Sequence, residues 1–274
     1  MKLDDYPAQE PLSPAGTEYG RECWKRGEGV GGEEFAFGDD PYQRLLVLRA
    51  DRPDGRVLLF WHGGGWTSGY KEWMAFMAPA FMRAEVTFVT AGYRLAPGHV
   101  FPAGLEDCVA AVRWVTAHAA EHGGDAKRLF VGGHSAGGHY AALLAASAAQ
   151  RARSGLPADV FRGCLPLSGV FDFGPASGLS VRPRFLGPDA ANDLLASPVR
   201  QIDSPVPFLV AYGSKDFAHL VPQGHAFVQA LRVAGGEAEE LVLPERTHFS
   251  ASFAGGEADG PWVPRALDFM ARHS

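Results

Sequence analysis

The chain is poor in residues that would staple it, glycosylate it or anchor it in a membrane. Three cysteines, Cys23, Cys108 and Cys164, are odd in number, far apart and outside any C-x-x-C pair. That excludes a disulfide framework and a zinc knuckle, and fits a reducing compartment. The single asparagine, Asn192, is followed by Asp193 and Leu194, so no N-glycosylation acceptor is present. No uninterrupted apolar run reaches the roughly 18 residues of a membrane helix. The N-terminus, Met1-Lys2-Leu3-Asp4-Asp5-Tyr6-Pro7, carries acids and a proline where a secretory signal carries an apolar stretch. Basic charge is also scarce. Against 31 Asp plus Glu there are 25 Lys plus Arg, a net charge of -6, which argues against a nucleic-acid footprint or a polybasic membrane patch. The expectation is a cytoplasmic globular protein with no nucleic-acid and no membrane partner.

Turn formers and alternation are plentiful. The 34 glycines and 20 prolines are scattered, so they mark many turns and no low-complexity tract. Residues 1–40 show little periodicity and are expected to form an irregular N-terminal arm. Strands are expected at Arg44–Arg49, Arg56–Trp61, Val86–Thr90, Arg128–Gly132, Gly163–Ser168, Pro207–Tyr212 and Ala238–Leu243. Helical spacing occupies Lys71–Ala84, Ala103–Glu121, Ala136–Gln150, Pro222–Ala234 and Pro261–Arg272. This rhythm implies a single α/β domain over residues 1–274, with a mostly parallel central sheet and helices on both faces. The weakly patterned stretch 171–200 is expected to be a lid or binding insertion.

Gly133-His134-Ser135-Ala136-Gly137 is a G-x-S-x-G pentapeptide between an expected strand and an expected helix. That setting makes it a nucleophile elbow, in which a strained turn lifts the serine hydroxyl to a helix N-terminus. The bland alternative is an ordinary Gly/Ser turn at a helix cap. An acyl-transfer serine also needs backbone donors for an oxyanion. His62-Gly63-Gly64-Gly65-Trp66, directly after the strand Arg56–Trp61, supplies them. Gly64 and Gly65 are assigned as donors together with the N–H of Ala136.

The acid and the base should follow in that order at the ends of later strands. Asp216 follows the apolar run ending at Tyr212, and His248 follows the strand ending at Leu243. Asp172, beside the insertion, is the rival acid. His118-Ala119-Ala120-Glu121-His122 matches the H-x-x-E-H zinc pattern, but it closes a helix just before Gly123-Gly124 and reads as a solvated terminus.

Taken together, these residues give the chain a resemblance to an α/β-hydrolase over residues 40–272. Within that fold it resembles two groups, the kynurenine formamidases (arylformamidases) and the hormone-sensitive-lipase-like carboxylesterases. Gly92-Tyr93-Arg94-Leu95-Ala96-Pro97, Phe101-Pro102-Ala103-Gly104-Leu105-Glu106-Asp107 and Trp114 are similar to both. Three details lean toward the formamidases: His134 precedes the serine where the lipase-like group usually has Asp, no Asp-Pro-Leu motif surrounds Asp216, and Phe249-Ser250 follows His248. Gly65 leans the other way, because the formamidase loop typically has Tyr there.

The resemblance implies a serine hydrolase that removes a small acyl or formyl group from an aryl amide or ester. The formamidase reading stands first and a short-chain carboxylesterase is its alternative. No cofactor or metal is implied, the partner is a small-molecule acyl substrate, and a homodimer stays open. Trp66 and Phe217, each beside a proposed catalytic loop, are the candidate pocket residues. A reading of another class is a hydrolase fold reused as a ligand-binding module, and retention of the whole triad argues against it.

Overall fold

All seven apolar runs become strands, and an eighth precedes them. The computed structural model describes residues 3–175, 177–179 and 181–274. Residues 1 and 2 of the expected arm and 176 and 180 of the expected insertion lie outside that description. The strands are β1 (Glu33–Ala36), β2 (Arg44–Leu48), β3 (Gly55–Trp61), β4 (Thr87–Ala91), β5 (Gly124–His134), β6 (Gly163–Leu167), β7 (Phe208–Lys215) and β8 (Ala238–Thr247). They lie side by side in the order β1-β2-β4-β3-β5-β6-β7-β8. Only β2 runs against the rest.

The helices are α1 (Pro14–Arg26), α2 (Ala78–Arg83), α3 (Ala103–His118), α4 (Ala136–Ala146), α5 (Ala148–Arg153), α6 (Asn192–Leu195), α7 (Leu220–Val233), α8 (His248–Phe253) and α9 (Val263–Arg272). They cover both faces of the sheet, as strands apolar on both sides require. Leu59 and Trp61 join a core with Leu105 and Val112 of α3 and Phe227 of α7. Leu58 and Phe60, one residue out of phase, join another with Phe81 of α2 and Phe269 of α9. Every residue of α4 is buried, as expected of a helix that is apolar all round.

Two expectations need correction. The stretch 136–150 is two helices, because Ser147 turns extended and its Oγ caps α5 by accepting from the Gln150 amide, while donating to Asp203. The arm is not irregular throughout: α1 occupies its middle, with Ser13 as a side-chain N-cap and Pro14 in the first turn. Such a cap is worth about 1 kcal/mol, and Pro costs nothing where the N–H has no helical partner. Ahead of α1 the arm is fastened by polar contacts. The buried Lys71 ammonium binds the Tyr6 hydroxyl at 2.6 Å and Glu34 at 2.8 Å. Both amide atoms of Gln9 pair with the backbone of Gly69, and Tyr42 donates to the Pro7 carbonyl.

Candidate active site

Strand register brings the site together. Lys215 pairs with Thr247, so the residues next after these two strands, Asp216 and His248, stand side by side. His134 pairs with Leu167, which puts Ser135 beside Ser168, and Trp61 pairs with Gly133 at the start of the glycine loop. Since these strands are parallel, all five loops leave the same carboxyl edge of the sheet.

Ser135 sits at φ 53° and ψ -115° as the residue that opens α4. A non-glycine residue with that φ is strained and must be held by its surroundings. Gly137 permits the turn: a Cβ there would lie 2.2 Å from the Trp61 carbonyl oxygen. Ser135 Oγ lies 2.9 Å from His248 Nε2, and His248 Nδ1 lies 2.8 Å from Asp216 Oδ1. Asp216 also accepts from the Phe217 amide at 2.7 Å and from Ser168 Oγ at 2.5 Å. Burial pushes the Asp216 carboxyl up, but these hydrogen bonds and the His248 ring outweigh it and hold the group below its ordinary value. The rival acid, Asp172, faces Arg200 and the Gly174 amide, and makes no contact with His248.

The cavity at Ser135 has a volume of about 270 Å³. Gly64, Gly65, Ser135, Phe217 and His248 line it, together with Pro11, Leu12, Ser13 and Tyr19 from the arm. Ala136, the first residue of α4, carries one of the N–H groups that a helix start leaves without an internal partner. Phe217 stacks on the His248 ring at 4.4 Å and is 45% exposed. Trp66 departs from its assignment as a pocket residue. It is buried, stacks on Phe185 at 4.2 Å, donates to His139 Nδ1 and stands behind the cavity wall. The insertion also differs from a lid: Phe171, Phe173, Phe185 and Ala196 are buried, and it reaches the cavity through Arg184 alone among its described residues. The arm does the covering instead, tied to the insertion by a Glu10–Arg184 ion pair.

Arg94, half-buried, and Asp107, buried, both part of the segment that carried the resemblance, form a fork-to-carboxylate pair that fixes the loop after β4. His118 binds Glu121 at the surface end of α3 and packs on Trp114. Among the described residues, no group of three His, Cys, Asp or Glu side chains is arranged to hold a metal. Ser168 and Tyr19 were not singled out from sequence, and His134 was noted only as the residue before the serine. Ser168 carried one usable signal, its place as the last residue of an expected strand.

The sheet, the elbow and the three hydrogen-bonded side chains define a class, and the chain belongs to the alpha/beta hydrolase fold family, whose model matches residues 58–252. It is a serine hydrolase. It is 33% identical over 228 residues to carboxylesterase NlhH of Mycobacterium tuberculosis, covering 76% of this chain and 69% of that protein. Esterase LipC of the same organism is 30% identical over 235 residues, with 77% and 58% covered. Among solved structures, the thermostable carboxylesterase EstE1 from a metagenomic library aligns with a TM-score of 0.73 at 24% identity, covering 95% of this chain and 96% of that one. A bacterial heroin esterase aligns at 0.75 and 25% identity, covering 99% and 95%.

Proposed function

We propose that the chain is a carboxylesterase acting on esters of short acyl groups, with Ser135 as nucleophile, His248 as general base and acid, and Asp216 as the group that orients His248. The observation that carries this reading is the unbroken line from Ser135 Oγ through His248 to Asp216 at the wall of a small cavity. The named relatives are esterases, which favours the carboxylesterase over the formamidase that the sequence put first. The His134 of the elbow, one of the details behind that order, has a packing role of its own. A volume of about 270 Å³ lies at the small end of ligand sites, so it suits acetyl to butyryl groups better than long chains.

His248 removes the Ser135 proton as Oγ bonds to the ester carbonyl carbon. The amides of Gly64, Gly65 and Ala136 hold the resulting oxyanion. Collapse breaks the ester bond, and the alcohol leaves with the proton that His248 returns. Water then gives a proton to His248 and attacks the acyl-serine, which releases the carboxylic acid and restores Ser135. Asp216 stays ionised throughout and stabilises the imidazolium. The compartment is read as reducing, since all three cysteines are free and buried. No helix among the described residues is long and apolar enough to cross a membrane.

The test is a substrate panel: p-nitrophenyl acetate, butyrate and octanoate beside N-formyl-kynurenine. Turnover of the two short esters, weak turnover of octanoate and slower deformylation is the expected pattern. Efficient deformylation with negligible ester cleavage would return the formamidase reading to first place.

A further inference from the structure

His134 fills the variable position before the nucleophile, is buried, and stands in the cavity wall with its ring 4.9 Å from that of His248. Its Nε2 lies 3.0 Å from the backbone oxygen of His248, and its Nδ1 lies 3.2 Å from the hydroxyl of Tyr19 on α1. Tyr19 Oη is in turn 2.9 Å from Ser252 Oγ on α8. The proton positions in this chain follow from chemistry alone. A carbonyl oxygen only accepts, so Nε2 of His134 carries the hydrogen. Burial, then the neighbouring His248 ring, pushes the His134 imidazole down to about 3, so the ring is neutral and Nδ1 is an acceptor. Tyr19 therefore donates to Nδ1, and its oxygen accepts from Ser252. Cys23, one turn further along α1, adds no charge: burial pushes its thiol up to about 12.

We propose that His134 and Tyr19 are positioning residues for His248, a role that rests on the triad chemistry above. His134 adjoins Ser135 in the chain, so its ring is a rigid spacer between the nucleophile's backbone and the backbone of the base. Tyr19 locks that spacer, because turning the imidazole over would point a C–H at the hydroxyl's hydrogen and put a second C–H where Nε2–H now donates to the His248 carbonyl. The spacing it sets is the one that allows the 2.9 Å approach of His248 Nε2 to Ser135 Oγ. A displacement of about 1 Å at such a pair costs on the order of 10²-fold in rate. The N-terminal helix thus reaches the chemistry through His134 and the backbone of His248.

The test compares His134→Gln, whose amide nitrogen reaches the same point as Nε2, with His134→Leu, which has no donor, and with Tyr19→Phe. Each is measured for kcat and KM on p-nitrophenyl acetate, and for the rate at which a fluorophosphonate labels Ser135. His134→Leu should lose about 10²-fold in kcat, with KM changed by less than about threefold, and His134→Gln should recover about tenfold of that loss. Tyr19→Phe should lose about tenfold in kcat with the same KM. Equal losses in the Gln and Leu variants, or a change confined to KM, would overturn the proposal. If His134→Leu does not fold, Tyr19→Phe decides alone: kcat and labelling rate at the wild-type level reject the spacer, and a loss in both supports it. An unlabelled wild-type chain would overturn the serine chemistry itself. A labelled wild type whose variants keep its rate overturns only the spacer.

Discussion

Ser135 combines a backbone strained by its neighbours with a hydroxyl that caps nothing, so its side chain serves the proposed chemistry and hardly stability. Ser135→Ala should fold as the wild type does and lose about 10⁴-fold or more in kcat, measured on p-nitrophenyl acetate with protein of unchanged circular dichroism. Asp216→Asn should lower kcat by roughly 10³ to 10⁴-fold, since an amide favours the wrong tautomer of His248 and leaves an imidazolium unbalanced. Asp172→Asn should stay within about threefold, because its partners are Arg200 and a loop amide; a reversed pair of results would move the acid to Asp172. The meeting of Ser135, Asp216 and His248 was legible because each sits at a strand end in an order that the proposed chemistry dictates. Ser168 and Tyr19 were not, since their partners depend on which strands neighbour one another and on where α1 docks. Trp66 was misread for a related reason: adjacency in sequence to the glycine loop does not say on which side of the wall a ring lies.

Among elements, the central strands were legible to within a few residues at most ends, because runs such as Leu129-Phe130-Val131 must be buried on both faces. β1 and α1 were hidden. Glu33-Glu34-Phe35-Ala36 has no β-branched residue and is a strand only because β2 pairs with it. α1 holds two glycines that weaken its helical pattern, and Gly20 is there because a Cβ would lie 2.7 Å from the Trp73 ring. Packing against a distant side chain overrode local propensity. The arm ahead of α1 supplies one side of the cavity, so a chain lacking residues 1–11, which keeps the Ser13 cap, should bind longer acyl groups. The ratio of kcat/KM for octanoate to that for acetate should rise by about tenfold or more, in keeping with an opened apolar pocket. An unchanged ratio would mean that the arm does not set chain length.

The molecule as a whole buries three neutral imidazoles, His62, His134 and His139. Burial is the main cause in each, pushing them from 6.5 down to about 4, about 3 and about 3. Between those values and 6.5 the unfolded chain binds protons that the folded chain refuses, so stability is complete above pH 6.5 and is lost as the pH falls toward 3 to 4. Each histidine contributes a slope of up to about 1.4 kcal/mol per pH unit, about 4 for the three together. Urea midpoints should agree at pH 7.5 and 8.5 and fall clearly by pH 5; a midpoint unchanged at pH 5 would contradict the buried neutral rings. The sheet order adds a consequence of another kind. β8 is the last strand, paired on one side only, and it delivers His248, whereas Ser135 comes from β5 in the interior of the sheet. Edge amides open to solvent through local fluctuations well below the free energy of global unfolding. Hydrogen exchange should therefore run faster in β8 than in β5. On gentle warming, esterase activity should fade while the bulk of the near-ultraviolet signal persists, and return on cooling, because His248, the proposed base, unzips from the rim before the scaffold of Ser135 gives way.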